Sequence, residues 1–213
     1  MMEPDSFENK LSRWAGRLSN IVLLGFFCLL CCIPVISIGA SFTALYEAMG
    51  EYLIEDNDKV LRPFFRTFKE RFLLSTKVFV LHLVFIAIFI WDLVYYRTGS
   101  STLDYIGHAA SFSLLMMVVF ELTCVWILIS QDMVSKTFEA ISEALNMAFG
   151  CLKESLSLLG LTIASCVVAV VLLRPFILVL PGVITFLHWQ IIPEMLQKYR
   201  FKKKQMNYRK GDQ

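Results

Sequence analysis

Three ionisable side chains lie inside long apolar stretches of this sequence, where they are the residues best suited to chemistry. Glu121 lies about two-thirds of the way along one stretch, and His82 and His188 lie within two others. A carboxylate inside a bilayer is costly, so it is by default a candidate proton or cation site, or a polar contact to another helix. Alternatively, Glu121 lies near the cytoplasmic interface and extends its carboxylate to water. The histidines are its candidate partners, although helix–helix hydrogen bonding is their commoner role. Together the three form a candidate intramembrane polar site.

Signatures of enzymatic chemistry are missing from the sequence. It contains no Gly-rich phosphate loop, no histidine pair with metal-ligand spacing and no nucleophile elbow. Six cysteines fall mostly within apolar runs, which is typical of packing residues and not of a disulfide framework. Cys28, Cys31 and Cys32 share one helix face, but nothing supplies the remaining ligands of a metal site. We therefore predict a non-enzymatic protein without a metal or cofactor.

Membrane-crossing helices are the elements that must position the polar side chains. The chain has 213 residues, of which 57% are hydrophobic and 18% charged, against about 25% charged in soluble domains. About 20 apolar residues in a helix cross the hydrocarbon core. Runs of about this length occupy residues 21–42, 78–96, 105–130, 155–173 and 175–193. The pattern predicts an all-α, polytopic membrane bundle of five transmembrane helices in one domain, residues 1–197, followed by a basic cytoplasmic tail, residues 198–213.

Two linking segments have the amphipathic pattern of helices that lie in the membrane interface. Residues 64–72 gather phenylalanines on one face, and residues 138–156 repeat apolar side chains at helical spacing. One interpretation is a docking surface for a cytosolic partner, and the other is a connector resting on the membrane. The candidate contact residues are Phe65, Phe68, Lys69, Glu70, Phe149, Lys153 and Glu154.

The same segments indicate an internal two-fold repeat. Residues 65–70 match residues 149–154 at an offset of 84, and both segments lead directly into an apolar run. The predicted unit is a span, an interfacial helix and a second span, present twice, with a fifth span appended.

Lys and Arg residues predict the orientation of the chain in the membrane. Placing both amphipathic links and the tail inside leaves 15 of them inside and five outside. This predicts an N-terminus outside and a C-terminus inside, with the tail on anionic lipid. The basic amphipathic N-terminal arm, in contrast, favours the cytoplasmic face. A first run that turns back at Pro34 as a re-entrant hairpin would satisfy that preference, whereas the repeat favours a full crossing.

Proline and glycine interrupt the first and last runs, at Pro34 and Gly39 and at Pro181 and Gly182. Broken helices of transporters expose backbone carbonyls to a solute. Packing kinks have the same sequence pattern, because neighbouring helices satisfy the freed groups, and we favour this interpretation.

Two segments resemble a known family. Asn20 opens the first apolar run, Ile33–Gly39 reads Ile-Pro-Val-Ile-Ser-Ile-Gly, and Thr43–Tyr46 reads Thr-Ala-Leu-Tyr. Residues 64–72 contain a Phe-Phe-x-x-Phe-Lys pattern. These features resemble the YesL-type bacterial membrane proteins, a family of unknown function, over about the first 95 residues. Ile33 and Ser37 stand where the family more often has Leu and Thr.

The resemblance implies a role near carbohydrate uptake, because such proteins are usually encoded beside ABC sugar importers in Gram-positive bacteria. It brings no catalytic residues. The expected function is that of an accessory or assembly partner of a carbohydrate ABC uptake system in the bacterial plasma membrane. The alternative is a small-solute transporter or channel that uses Glu121. Expected partners are the lipid bilayer and ABC permease or ATPase subunits, with self-association open and no nucleic acid.

Overall fold

The computed structural model describes residues 7–55, 59–97, 99, 101–172 and 179–211, and the regular structure of these residues is helical throughout. The helices are α1 (Phe7–Cys31), α2 (Ile38–Glu55), α3 (Leu61–Tyr96), α4 (Thr102–Ser130), α5 (Thr137–Gly150), α6 (Leu152–Leu172), α7 (Leu180–His188) and α8 (Ile192–Gly211), with a 3₁₀ turn at Val35–Ser37. The predicted all-α class is confirmed for this part of the chain.

The two longest helices, α3 and α4, are antiparallel, and among the described residues they are the two single helices long and apolar enough to cross a membrane. They have 36 and 29 residues, or about 54 Å and 44 Å, and each exceeds the ~30 Å hydrocarbon core. Only 17% of the most apolar window of α3 is buried within the protein. Its apolar side chains therefore face outward, as they do in a helix surrounded by lipid. A capping box formed by Ser101 and Asp104 begins α4.

The first apolar run is not one helix, which corrects the predicted span at residues 21–42. Helix α1 ends at Cys31 and α2 begins at Ile38. Pro34 lacks a backbone N–H and disfavours helical geometry in the residue before it, so the chain breaks there. The Ser37 hydroxyl donates to the carbonyls of Cys31 and Pro34 and closes the turn.

Helix α2 occupies the centre of the fold and packs on α1, α3, α4 and α7. Its small residues allow this, since Ala44 and Ala48 are fully buried. At Gly39 the backbone of α2 meets α3 so closely that a Cβ would lie 2.6 Å from the Ser75 carbonyl oxygen. The Ser75 hydroxyl also donates to Thr43 Oγ1 at 3.0 Å.

The second half of the chain contains at most one further candidate span among the described residues. Helices α5 and α6 meet at an angle of 99° and count as a third span only if the bent pair is taken as one. Helix α7 has nine residues, about 13 Å, and is too short to cross alone. Residues 173–178 of the predicted fourth and fifth spans lie outside the described residues. The described chain thus supports two or three spans, and the predicted five are not confirmed.

The two amphipathic links fold differently, so the internal repeat is not confirmed either. Residues 64–72 are the first part of the continuous helix α3, whereas residues 138–150 form the separate helix α5. The matching segments therefore differ: residues 65–70 lie inside one helix, and residues 149–154 cross the sharp bend. Helix α5 turns its alanines inward, and several of the larger apolar side chains that were predicted to face the membrane are exposed. Its buried residues are Ala140, Ala144, Met147 and Ala148, while Phe138 is 82% exposed.

The basic segment is helical and continuous with the bundle, because α8 runs through the predicted boundary at residue 197. Ile192 and Met195 at its start are fully buried. Lys198 pairs with Glu154, and this carboxylate raises the pKa of Lys198. Lys203 pairs with Glu143 at 2.8 Å. One face of α8 is thereby held against α5 and α6.

Candidate intramembrane polar site

His82 and Glu121 face each other between the two long spans. His82 Nε2 lies 3.7 Å from Glu121 Oε1. A salt bridge between Arg71 and Asp132, 2.6 Å long, lies eleven residues away along each helix. The equal spacing fixes the antiparallel register of α3 and α4 at two points. The sequence-based pairing of His82 with Glu121 thus has a structural basis.

The pair lies near the middle of the apolar part of α3. His82 is eleven residues from Arg71 and ten from Asp92, or about 16 Å and 15 Å along the helix. Together these distances match the ~30 Å hydrocarbon thickness. Lys77 is the one Lys, Arg, Asp or Glu in this stretch and is exposed, so its long side chain can extend toward the nearer interface.

Both side chains are enclosed by protein and not by lipid. His82 is 2% exposed and Glu121 is 4% exposed. Glu121 Oε1 has no hydrogen-bond partner among the described residues, although a buried polar oxygen normally has one. Glu121 therefore keeps one carboxyl oxygen without a hydrogen bond inside the helix pair.

The hydrogen bond of His82 specifies which of its ring nitrogens carries a proton. Its Nδ1 lies 2.8 Å from the Val78 carbonyl oxygen, which only accepts, so Nδ1 carries a proton. Nε2 faces Glu121 Oε1 at 3.7 Å, which is longer than a hydrogen bond. The pair therefore places two groups that can bind a proton next to each other inside the helix bundle.

His188 lies apart from this pair and has all its hydrogen-bond partners. Its Nδ1 accepts from the Tyr46 hydroxyl at 2.6 Å, and its Nε2 donates to the Leu158 carbonyl at 3.0 Å. Thr162 Oγ1 lies 3.1 Å from the same nitrogen. Among the described residues, His188 has no hydrogen bond or ion pair to Glu121. The prediction of one three-residue site therefore divides into a His82–Glu121 pair and a separate helix contact at His188.

Tyr46 is the buried residue that sequence reasoning left without a role. Its hydroxyl donates to His188, and its carbonyl accepts from Trp189 Nε1 at 2.9 Å. It links α2 to α7 and, through His188, to α6. Its place in the Thr-Ala-Leu-Tyr motif was the available signal, but a tyrosine in an apolar run does not reveal its partner 142 residues away.

Residues 18–93 match a protein family described as "Protein of unknown function, DUF624". The match covers most of α1, all of α2 and nearly all of α3. It therefore includes His82 and Tyr46 but not Glu121. A search of curated proteins and a search of solved structures each found no match.

The predicted contact residues lie on two separate elements. Phe65, Lys69 and Glu70 are exposed near the start of α3, and Phe68 is half-buried there. Phe149 and Lys153 are exposed at the bend between α5 and α6. Glu154 differs from the other six, because it is 7% exposed and holds Lys198.

The described side chains include no group of three His, Cys, Asp or Glu residues placed to hold a metal ion. All six cysteines are free thiols.

Proposed function

We propose that this protein is a non-enzymatic integral membrane protein and acts as an accessory or assembly partner of a carbohydrate ABC uptake system. The resemblance of residues 20–46 and 64–72 to the YesL-type proteins suggests the system. The observation that carries a docking role is the length of α3, because this helix is longer than the membrane is thick.

The part of α3 before Arg71 extends beyond the apolar region. From Leu61 to Arg71 it contains eleven residues, about 16 Å of helix. Phe65, Lys69 and Glu70 are exposed on this extension, which gives an aromatic side chain flanked by both charges. The exposed aromatic side chain is the feature that protein–protein interfaces favour, and the charged residues beside it suit the polar rim of such an interface.

Recovery of the protein from native membranes in mild detergent tests this proposal. We expect a permease or ATPase subunit to be recovered with it. The double variant Phe65→Ala, Lys69→Glu should lose that subunit. Leu103→Ala with Tyr105→Ala, at the opposite end of α3 and α4, should retain it. Recovery of no importer subunit with the unaltered protein would contradict the proposal.

The buried His82–Glu121 pair favours a second candidate function, a small-solute transporter or channel in which the pair carries a proton. Its support is the mid-depth position and the unsatisfied Glu121 oxygen. In proteoliposomes with an entrapped pH dye, we expect proton flux that Glu121→Gln abolishes and the exposed Glu70→Gln leaves unchanged. Equal flux in Glu121→Gln and the unaltered protein would exclude this role.

For the orientation, we propose that the tail is cytoplasmic in a bacterial plasma membrane. Arg71 of α3, Asp132 after α4 and the basic residues of α8 lie toward the same end of the bundle. The positive-inside rule makes this end cytoplasmic.

Contacts of the first run support the re-entrant alternative for the N-terminus. The ring of Phe27 packs 5.7 Å from that of Phe65, and Gly39 lies against Ser75, further along α3. The first run therefore follows α3 into the bundle up to the turn at Pro34, and α2 then runs back in the opposite direction. The returning Glu51 pairs with Arg66. Arg97, between α3 and α4, then lies outside. Five full crossings with the N-terminus outside is the competing prediction.

A further inference from the structure

A cavity of about 460 Å³ opens between the start of α8 and the ends of α2 and α4. Its polar lining includes Arg200, Lys204, Gln131 and Gln197, and its apolar lining includes Ile54 and Phe201. None of the described residues that line it is acidic. The cavity therefore combines two cations with apolar walls.

The two cations differ from their neighbours on α8 because they have no counter-ion. Lys198 and Lys203 pair with Glu154 and Glu143, and Lys202 donates to the Gly150 carbonyl. Arg200 and Lys204 have no ion pair or hydrogen bond among the described residues. They are spaced i, i+4, which places both on one face of α8.

Acidic groups near the cavity, among the side chains that the structure describes, interact with other residues. Asp132 pairs with Arg71, and Glu51 pairs with Arg66. Glu47 accepts from Gln131 Nε2 at 3.4 Å, and Glu194 contributes to raising the pKa of Lys198. The positive charge of Arg200 and Lys204 is thus left for an external anion.

The position of the cavity relative to the apolar part of the bundle indicates which kind of anion it binds. Gln131 is adjacent to Asp132, whose salt bridge with Arg71 marks the end of the apolar part of α3 and α4. Ile54 and Phe201 are 71% and 64% exposed, and Trp189 lines the inner wall. Exposed apolar side chains beside cations at this depth match a phospholipid, with its phosphate in the headgroup layer and its chains below.

We propose that this cavity binds the anionic headgroup of a membrane phospholipid, whose phosphate lies between Arg200 and Lys204. The inference does not depend on the importer role or on the His82–Glu121 pair, and it rests only on the placement of the chain in a membrane.

The experiment measures retention of lipid by the purified full-length protein in detergent. Phosphatidylglycerol and phosphatidylcholine are offered at equal concentration, and bound lipid is counted by native mass spectrometry, with thermal unfolding measured in parallel. We expect retention and stabilisation by phosphatidylglycerol. Arg200→Gln with Lys204→Gln should weaken its apparent affinity about tenfold or more.

A matched control removes two exposed basic charges elsewhere, with Lys69→Gln and Lys153→Gln, and should retain the lipid. If the double variant folds poorly without lipid, the single variant Lys204→Gln replaces it in the experiment. The Lys204 side chain is exposed, so its substitution should leave the fold intact. Inorganic phosphate and glycerol phosphate are tested in the same way. If either of them stabilises the protein as much as phosphatidylglycerol does, the cavity is a site for free phosphate and the lipid proposal is overturned. Equal retention of both lipids, or equal retention by the double variant and the control, would also overturn it.

Discussion

Two buried histidines in this protein have opposite hydrogen-bonding states. His188 finds a donor in Tyr46 and an acceptor in Leu158, so it serves as a neutral link between helices. His82 has one hydrogen bond, to Val78, and its other ring nitrogen faces the Glu121 carboxyl group at 3.7 Å without a hydrogen bond. The difference arises from their partners, since both residues are almost completely buried.

Removing the Tyr46 hydroxyl should destabilise the protein. In Tyr46→Phe, His188 Nδ1 loses its donor while remaining buried, which costs about 1–3 kcal/mol. Tyr105→Phe is the matched control, because Tyr105 is 69% exposed and should change stability little. Thermal unfolding in detergent measures both, and equal midpoints for the two variants would argue against the hydrogen-bonded link.

Glu47 should make stability depend on pH. Burial raises the pKa of this carboxyl from 4.5 to about 7, and the neighbouring Glu51 adds to the rise. The folded state therefore holds the proton more tightly than the unfolded state, and this stabilising contribution is complete below pH 4.5 and is lost as the pH rises through about 7. Glu47→Gln should remove that loss, so its stability should exceed that of the unaltered protein above pH 7.

The measurement is thermal unfolding at several pH values between 4 and 8. The exposed Glu70→Gln serves as the control and should keep the original pH dependence. A Glu47→Gln variant whose unfolding midpoint still falls from about pH 5 to 7 in parallel with the control would show that another group is responsible.

At the scale of elements, close backbone contacts hold the short helices in place. Gly25 of α1 and Gly182 of α7 face each other, and a Cβ at Gly182 would lie 2.3 Å from the Ile21 carbonyl oxygen. Small residues permit such approach between helices in membranes. Helix α7 begins with Leu180 and Pro181. Gly182 follows directly, so the close contact with α1 lies in the first turn of α7.

Substitution at this crossing should separate α1 from α7. Gly182→Ala places a methyl group against backbone atoms that have no side-chain freedom, and overpacking of this kind costs about 1–3 kcal/mol. Gly160→Ala in α6 meets no atom within 4 Å and should be neutral or slightly stabilising. A lower unfolding midpoint is expected for the first variant only, and tolerance of Gly182→Ala would rule out a tight crossing.

At the scale of the whole molecule, charge is concentrated at one end. The salt bridges of Arg66 and Arg71, the polar contact of Glu47 and the basic face of α8 all lie where α2, α3 and α4 leave the apolar region. The opposite end, around Ser101 and Asp104, carries one basic residue, Arg97, between the two spans. This asymmetry is the physical basis for the proposed orientation.

Labelling with a membrane-impermeant maleimide tests the orientation. In a background without the six native cysteines, Leu103→Cys should react in intact cells. Lys136→Cys and Ser6→Cys should react only after the membrane is permeabilised, because both ends of the re-entrant run are then inside. Labelling of Ser6→Cys in intact cells would instead support the five-span arrangement.

The sequence was sufficient for the helical class and the apolar character of the chain, and it singled out Glu121 and His82 as candidate site residues, because each follows from composition and local spacing. It was insufficient for the number of spans. The run at residues 21–42 is long enough to cross, yet Pro34 divides it, and whether a proline kinks or ends a helix depends on the neighbours that satisfy the freed backbone groups.

Sequence alone therefore determined that this protein is built from apolar helices with a carboxylate and histidines among them, because hydrophobicity and helical periodicity are local properties. Only the tertiary structure decided that His82 meets Glu121 while His188 meets Tyr46, that α3 is continuous while α5 and α6 bend at 99°, and that Arg200 and Lys204 have no counter-ion within the described part of the chain. These outcomes depend on the register and close approach of helices far apart in the chain, which no local pattern specifies.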